Sequence, residues 1–163
     1  MKATTLLKRQ HNKVKAIFKK LEGGHAAPAP LLEELANDLA AHMAIEQDIF
    51  YPAIKKIDED LVRESFEEHS LAELALKRLL ACDPKDPSFA AHVTATKELI
   101  QHHVKEEEED LFPKVEKKLN EERLKEMGIE MESKFDDVVA EGFEAAVPKG
   151  FAKTSSDMAL PNL

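Results

Sequence analysis

The segment HMAIEQDIFYP, residues 42–52, decides how this chain is read. Upstream of it, Leu32, Leu35 and Leu39 follow the three-four spacing of an amphipathic helix. Continued at the same spacing, that stripe reaches His42, Glu46, Ile49 and Ala53. A histidine and a glutamate thus stand where the helix would bury leucines. An unpaired buried carboxylate is costly, so something must compensate Glu46. The pattern recurs 61 residues later in HVKEEEEDLFP, residues 103–113. Both copies have His, Glu four residues on, an apolar-aromatic pair, and Pro ten residues after the His.

Two further stripes carry the same kind of interruption. One reads Leu7, His11, Val14, Phe18, Leu21, and the other Val62, Phe66, His69, Glu73, Leu76, Leu80. The stripe holding the second copy reads Phe89, Val93, Thr96, Ile100, His103, Glu107, Leu111. Thr96 aside, each of the four is apolar except for one polar step, and every such step contains a histidine.

Turn chemistry divides the chain between these stripes. GGHAAPAP, residues 23–30, separates a helix over 3–22 from one over 31–55. Asp58 caps a third helix running to Ala81. Asp86 and Pro87 read as an N-cap and first helical position for a fourth helix ending near Leu119. Asn120 caps a fifth, near 121–141, and Pro148, Gly150 and KTSSD mark a weakly ordered tail. Strand signals are absent. The expectation is an all-α, up-down-up-down four-helix bundle over 1–119, an additional helix over 120–145 and a flexible tail over 146–163.

Bulk properties narrow the function. The net charge of −9 and the lack of basic clusters argue against nucleic acid and anionic membrane as partners. One cysteine, Cys82, has no partner for an internal disulfide, which points to a reducing, cytoplasmic setting. MKATTLLKRQHNK has no apolar signal core, and no run of about 18 apolar residues occurs.

Residues four apart on a helix share a face, with Cβ atoms about 5–6 Å apart, so His and Glu so placed can hold one ion. His11 and His42 lie at matching heights above their shared loop, and His42 with Glu46 lies level with His69 and Glu73. A lone His on an apolar face is ordinarily a hydrogen-bonded core residue, and one HxxxE is expected by chance. Four interrupted stripes are not reached that way. Mixed His and carboxylate donors suit iron, zinc or manganese, and Glu46 with Glu107 suits a bridged pair of ions. His25 and His92 fall off the stripes and read as surface residues. His102 also opens an HxxxE, with Glu106, but only His103 keeps the spacing to Pro113. Tyr51 reads as a packing residue close enough to the site to gate or ligate.

LLKRQHNKVKAIFKKLE, HMAIEQDIFYP and HHVKEEEEDLFP together resemble the hemerythrin-type HHE cation-binding domain over roughly residues 3–119. The resemblance implies a four-helix bundle holding two non-haem iron ions bridged by an oxo or hydroxo group. His11 and His42 would hold one iron, and His69, Glu73 and His103 the other. Glu46 and Glu107 would bridge. Oxygen-carrying members have HxxxH on the third helix and end in HxxxxD, whereas this chain has His69-x-x-x-Glu73 and His103-x-x-x-Glu107. An extra anionic ligand favours ferric iron and disfavours reversible oxygen carriage. The expected role is therefore redox chemistry towards hydrogen peroxide or dioxygen, with peroxide decomposition favoured. A dioxygen or nitric oxide carrier, or an iron or oxygen sensor, is the alternative, and a metal-free structural bundle ranks last.

Overall fold

A computed structural model describes residues 1–24 and 27–146. Helix α1 spans Ala3–Glu22, and α3 spans Glu59–Ala81. Helix α2 begins as Pro28–Ile45, passes through a π-helical turn at Glu46–Phe50 and resumes over Tyr51–Ile54. Helix α4 repeats that construction, with Phe89–Glu106, a π turn at Glu107–Leu111 and a last segment Phe112–Lys118. Helix α5 spans Glu121–Glu141, followed by the single turn α6, Phe143–Ala146. Among the described residues there is no strand. Helices α1 to α4 pack in a closed ring, each against its chain neighbours and α4 against α1, while α5 lies along α1 and α2. The chain is an all-helical bundle.

Two helix starts follow the sequence closely. The Asp58 carboxylate accepts the Leu61 backbone N–H, and the Asn120 side chain accepts that of Arg123, so each fills one of the donors a helix start leaves open. Two others differ. Pro28 and Pro30 belong to the first turn of α2 rather than to the preceding loop, because a first-turn residue needs no N–H partner. Asp86 does not cap α4. Its carboxylate accepts the backbone N–H and hydroxyl of Ser88 in a local turn, and the helix starts at Phe89.

The π turns answer the two prolines. Pro52 and Pro113 each sit inside a helix, where the ring would collide with the carbonyl four residues back. In both copies the backbone N–H of the preceding residue bonds five back instead of four, Tyr51 to Glu46 and Phe112 to Glu107. The extra residue turns everything beyond it by about 100° relative to the helix before it. The expected continuation of the α2 stripe through Ile49 and Ala53 is therefore replaced. Phe50, Tyr51 and Ile54 are the fully buried residues, Ile49 is half-buried and Ala53 is exposed.

The core is split along the bundle axis. One apolar cluster gathers Leu7, Phe50, Phe66, Leu111 and Phe112 with Leu124, Met127 and Met131 of α5. The other gathers Val14, Phe18, Leu39, Met43, Leu76, Ile100 and Val104. On each of the four long helices, the polar step lies between a residue of one cluster and a residue of the other. The bundle thus carries a buried polar layer between two apolar clusters.

Candidate metal centre

His11, His42, Glu46, His69, Glu73, His103 and Glu107 are all buried. Six of them converge in two groups whose ligand atoms lie within 4.8 Å of one another. The first group is His11, His42, Glu46 and Glu107, and the second is Glu46, His69 and His103, so Glu46 belongs to both. Glu73, one turn along α3 from His69, enters neither group. His92 is half-buried and away from the layer, and His25 lies outside the described residues.

The imidazoles meet through their Nε2 atoms. His11 and His42 approach to 3.1 Å, and His69 and His103 to 3.0 Å. Glu46 Oε2 lies 3.3 Å from His42 Nε2 and 3.2 Å from His69 Nε2. Glu107 Oε2 lies 3.3 Å from His11 Nε2. Despite that proximity, both Glu46 oxygens and Glu107 Oε2 make no hydrogen bond of acceptable geometry among the described residues. Buried carboxylate oxygens left so are costly, and a cation at the common focus of carboxylate oxygens and imidazole nitrogens satisfies them all at once. The donors present fit a metal.

The outer ring nitrogens are held separately. His42 Nδ1 lies 2.8 Å from Gln10 Oε1, and His11 Nδ1 2.8 Å from Glu108 Oε1. His103 Nδ1 lies 2.7 Å from Glu68 Oε2. Each acceptor takes the Nδ1–H, which leaves the Nε2 lone pair facing the layer, the tautomer a metal ligand needs. His69 Nδ1 lies 3.0 Å from Gln47 Nε2, so the same tautomer there requires the Gln47 amide turned to present its oxygen. Glu108 follows the inward Glu107 in the acidic run EEEED, where a solvent-facing place is the ordinary expectation. Glu108 shows otherwise, because the π turn brings it round to α1.

Tyr51 reaches the layer itself. Its hydroxyl donates to Glu107 Oε1 at 2.9 Å and sits 3.2 Å from His69 Nε2 and 3.4 Å from His103 Nε2. Of the two repeat copies, only the first carries a hydroxyl here, since Phe112 takes the matching place. That phenol oxygen lies beside both histidines of the second group.

Electrostatics record how crowded the layer is. Burial, then the Glu107 charge, push the Glu46 carboxyl well above the usual carboxylate range. Burial acts upward on Glu107 too, but the surrounding imidazoles of His103, His11 and His69 outweigh it and hold that group at about 2. Burial, with neighbouring imidazoles, pulls His42 and His69 well below the usual histidine value. For His103, burial is outweighed by Glu107 and Glu68, so its value rises. Burial, then Glu107 and Glu46, push the Tyr51 phenol up.

Beside the layer lies an apolar cavity of about 20 Å³, lined by Val14, Leu39, Met43, Ile100 and Val104 and by all four inward histidines. That is room for one water-sized or diatomic molecule. No described helix is long and apolar enough to cross a membrane.

Comparison with known proteins bears on the fold and the family. A hemerythrin HHE cation binding domain-containing protein of Mycobacterium kansasii superposes with a TM-score of 0.77 at 24% identity, over 86% of this chain and 89% of that one, which speaks for the fold. A Nostoc protein named DNA nickase is 26% identical over 137 residues, 82% of this chain, and the chain spans only 39% of that relative's length. Residues 2–115, which hold every member of the two buried groups, match the hemerythrin HHE cation binding domain, and the chain belongs to that family.

Proposed function

We propose that the chain binds two iron ions in its buried polar layer and uses them in redox chemistry on hydrogen peroxide or dioxygen, with peroxide decomposition the favoured role. One observation carries the reading. Four imidazole Nε2 atoms and two carboxylates without adequate hydrogen bonds meet in two groups that share Glu46. A donor set of imidazole and carboxylate suits iron, and a shared carboxylate suits a pair of ions. His11 and His42 serve one ion, and His69 and His103 the other. Glu46 and Glu107 lie between them. Glu73 completes the second set by turning its side chain inward from its buried place beside His69.

Iron, when bound, would supply the redox chemistry. The chain's own residues do the rest. Gln10, Glu108 and Glu68 fix the rings of His42, His11 and His103 through Nδ1 and make them better donors. The apolar cavity has room for a molecule of two heavy atoms, such as dioxygen or peroxide. Tyr51 holds a proton on its hydroxyl, directed at Glu107, at the edge of the second group.

The cavity equally suits a dioxygen or nitric oxide carrier, which is the alternative. Peroxide consumption by the iron-loaded protein, compared with reversible spectral change on cycling oxygen, separates the two. Reversible oxygen binding without peroxide turnover would replace the favoured role by the alternative. The activity named for the Nostoc relative belongs to a protein far longer than this chain. With a net charge of −9 we assign no nucleic-acid partner here, and intact supercoiled plasmid after incubation with the iron-loaded protein is the expected result.

A further inference from the structure

The HxxxE that begins at His102 has no place in the buried layer, yet it does not stand alone. His102 and Glu106 lie four apart on the outer face of α4, and Glu68 of α3 reaches them from the neighbouring helix. His102 Nε2 lies 3.4 Å from Glu68 Oε1 and 3.4 Å from Glu106 Oε1. One donor atom from each of the three residues falls within 4.8 Å of the others. The geometry points to a second, outer site at Glu68, His102 and Glu106 for a divalent transition-metal ion.

Two features separate this cluster from an ordinary acidic surface. The first is the imidazole. Its Nε2 sits equally far from both carboxylates, an arrangement that lets all three donors face a common point. The second is the fixation of Glu68. Its side chain is only 15% exposed, and its Oε2 accepts the Nδ1–H of His103 at 2.7 Å. The other oxygen is thereby aimed outward at His102 and loses little freedom when it binds. His102 is 63% exposed, which leaves the solvent side of the ion for water. One nitrogen and two carboxylate donors select zinc, manganese or ferrous iron over calcium or copper(I). Glu68 would then touch the outer ion with one oxygen and the ring of an inner ligand with the other. Only that last link rests on the proposed function.

Zinc is the probe, added to the full-length, iron-loaded protein under equilibrium dialysis, with bound zinc and iron both measured. The wild type should bind one zinc per chain beyond its iron. His102→Ala and Glu106→Gln should each weaken that uptake about tenfold or more, the scale on which even supporting residues act. His92→Ala should leave it unchanged. His102 is exposed and Glu106 partly so, and unchanged melting temperatures would show that the variants fold. Equal zinc uptake by wild type and His102→Ala, or no uptake, would overturn the outer site. Zinc entering the buried groups would appear in both proteins and cancel in the difference. Loss of iron binding would therefore defeat the proposed function while leaving the His102-dependent zinc to be read.

Discussion

At the scale of the residue, Glu73 and Tyr51 pose the sharpest question. The sequence places Glu73 inward beside His69, and it is buried, but the second group gathers the Tyr51 hydroxyl instead. If Glu73 supplies an anionic ligand, Glu73→His exchanges it for a neutral one. Ferrous iron should then be favoured, the reduction potential should rise and peroxide turnover should fall. Tyr51→Phe removes the hydroxyl beside Glu107 with little change in packing volume. It should keep two irons, alter the absorption spectrum and leave the melting temperature within a few degrees. Redox titration and spectra of both variants decide which oxygen serves the second ion. An unchanged potential in Glu73→His at full iron occupancy would remove Glu73 from the ligand set. The inward histidines and glutamates were legible because each interrupts a stripe of its own helix. Gln10, Glu68 and Glu108 were not, since each contacts a ring on a different helix, and no spacing along one chain segment encodes that.

At the scale of the element, helices α1, α3 and α5 could be read from their caps and apolar periods. The π turns could not. Their signal was the repeated Pro ten residues after each His, visible as a repeat but not as a change of helical pitch. The consequence was physical: one added residue moved Tyr51 into the buried polar layer and Glu108 against His11. Helix α5 gives the element-scale prediction. Gly128 lies against the start of the chain so closely that a Cβ there would meet the Met1 carbonyl oxygen at 2.1 Å and the Ala3 backbone nitrogen at 3.0 Å. Both neighbours are backbone and cannot swing away. Gly128→Ala should therefore destabilise the protein by about 1–3 kcal/mol, as overpacking does, lowering the melting temperature by several degrees. Iron content should not change, because α5 carries no member of the layer. A melting temperature at or above that of the wild type would show that α5 does not hold this close contact.

At the scale of the whole molecule, the bundle is two apolar cores joined through a charged layer, so its stability is tied to whatever fills that layer. Without a cation, burial and the Glu107 charge oppose ionisation of Glu46, and buried carboxylate oxygens lack hydrogen bonds. A metal bound only by the folded state stabilises it by mass action, about 4 kcal/mol at a free concentration a thousandfold above the dissociation constant. For a chain of this size that is on the order of 10 °C in melting temperature. The pH dependence has a definite sign. In the metal-free fold Glu46 and His103 hold their protons more tightly than usual, and both must release them to bind an ion. His42 and His69 are pulled the other way and are already neutral where an ordinary histidine titrates, so they add little proton competition. Metal affinity should thus weaken on acidification, and the gap between loaded and chelated melting temperatures should narrow as pH falls. A gap that is absent, or that widens in acid, would contradict this picture.

The central claim is that the polar layer is a two-iron site, and the direct measurement is metal content per chain after iron loading. The account predicts two iron ions in the wild type, fewer in His42→Ala and in His103→Ala, and two again in His92→Ala. One ion of another metal, no retained metal, or iron unaffected by His42→Ala and His103→Ala would contradict it.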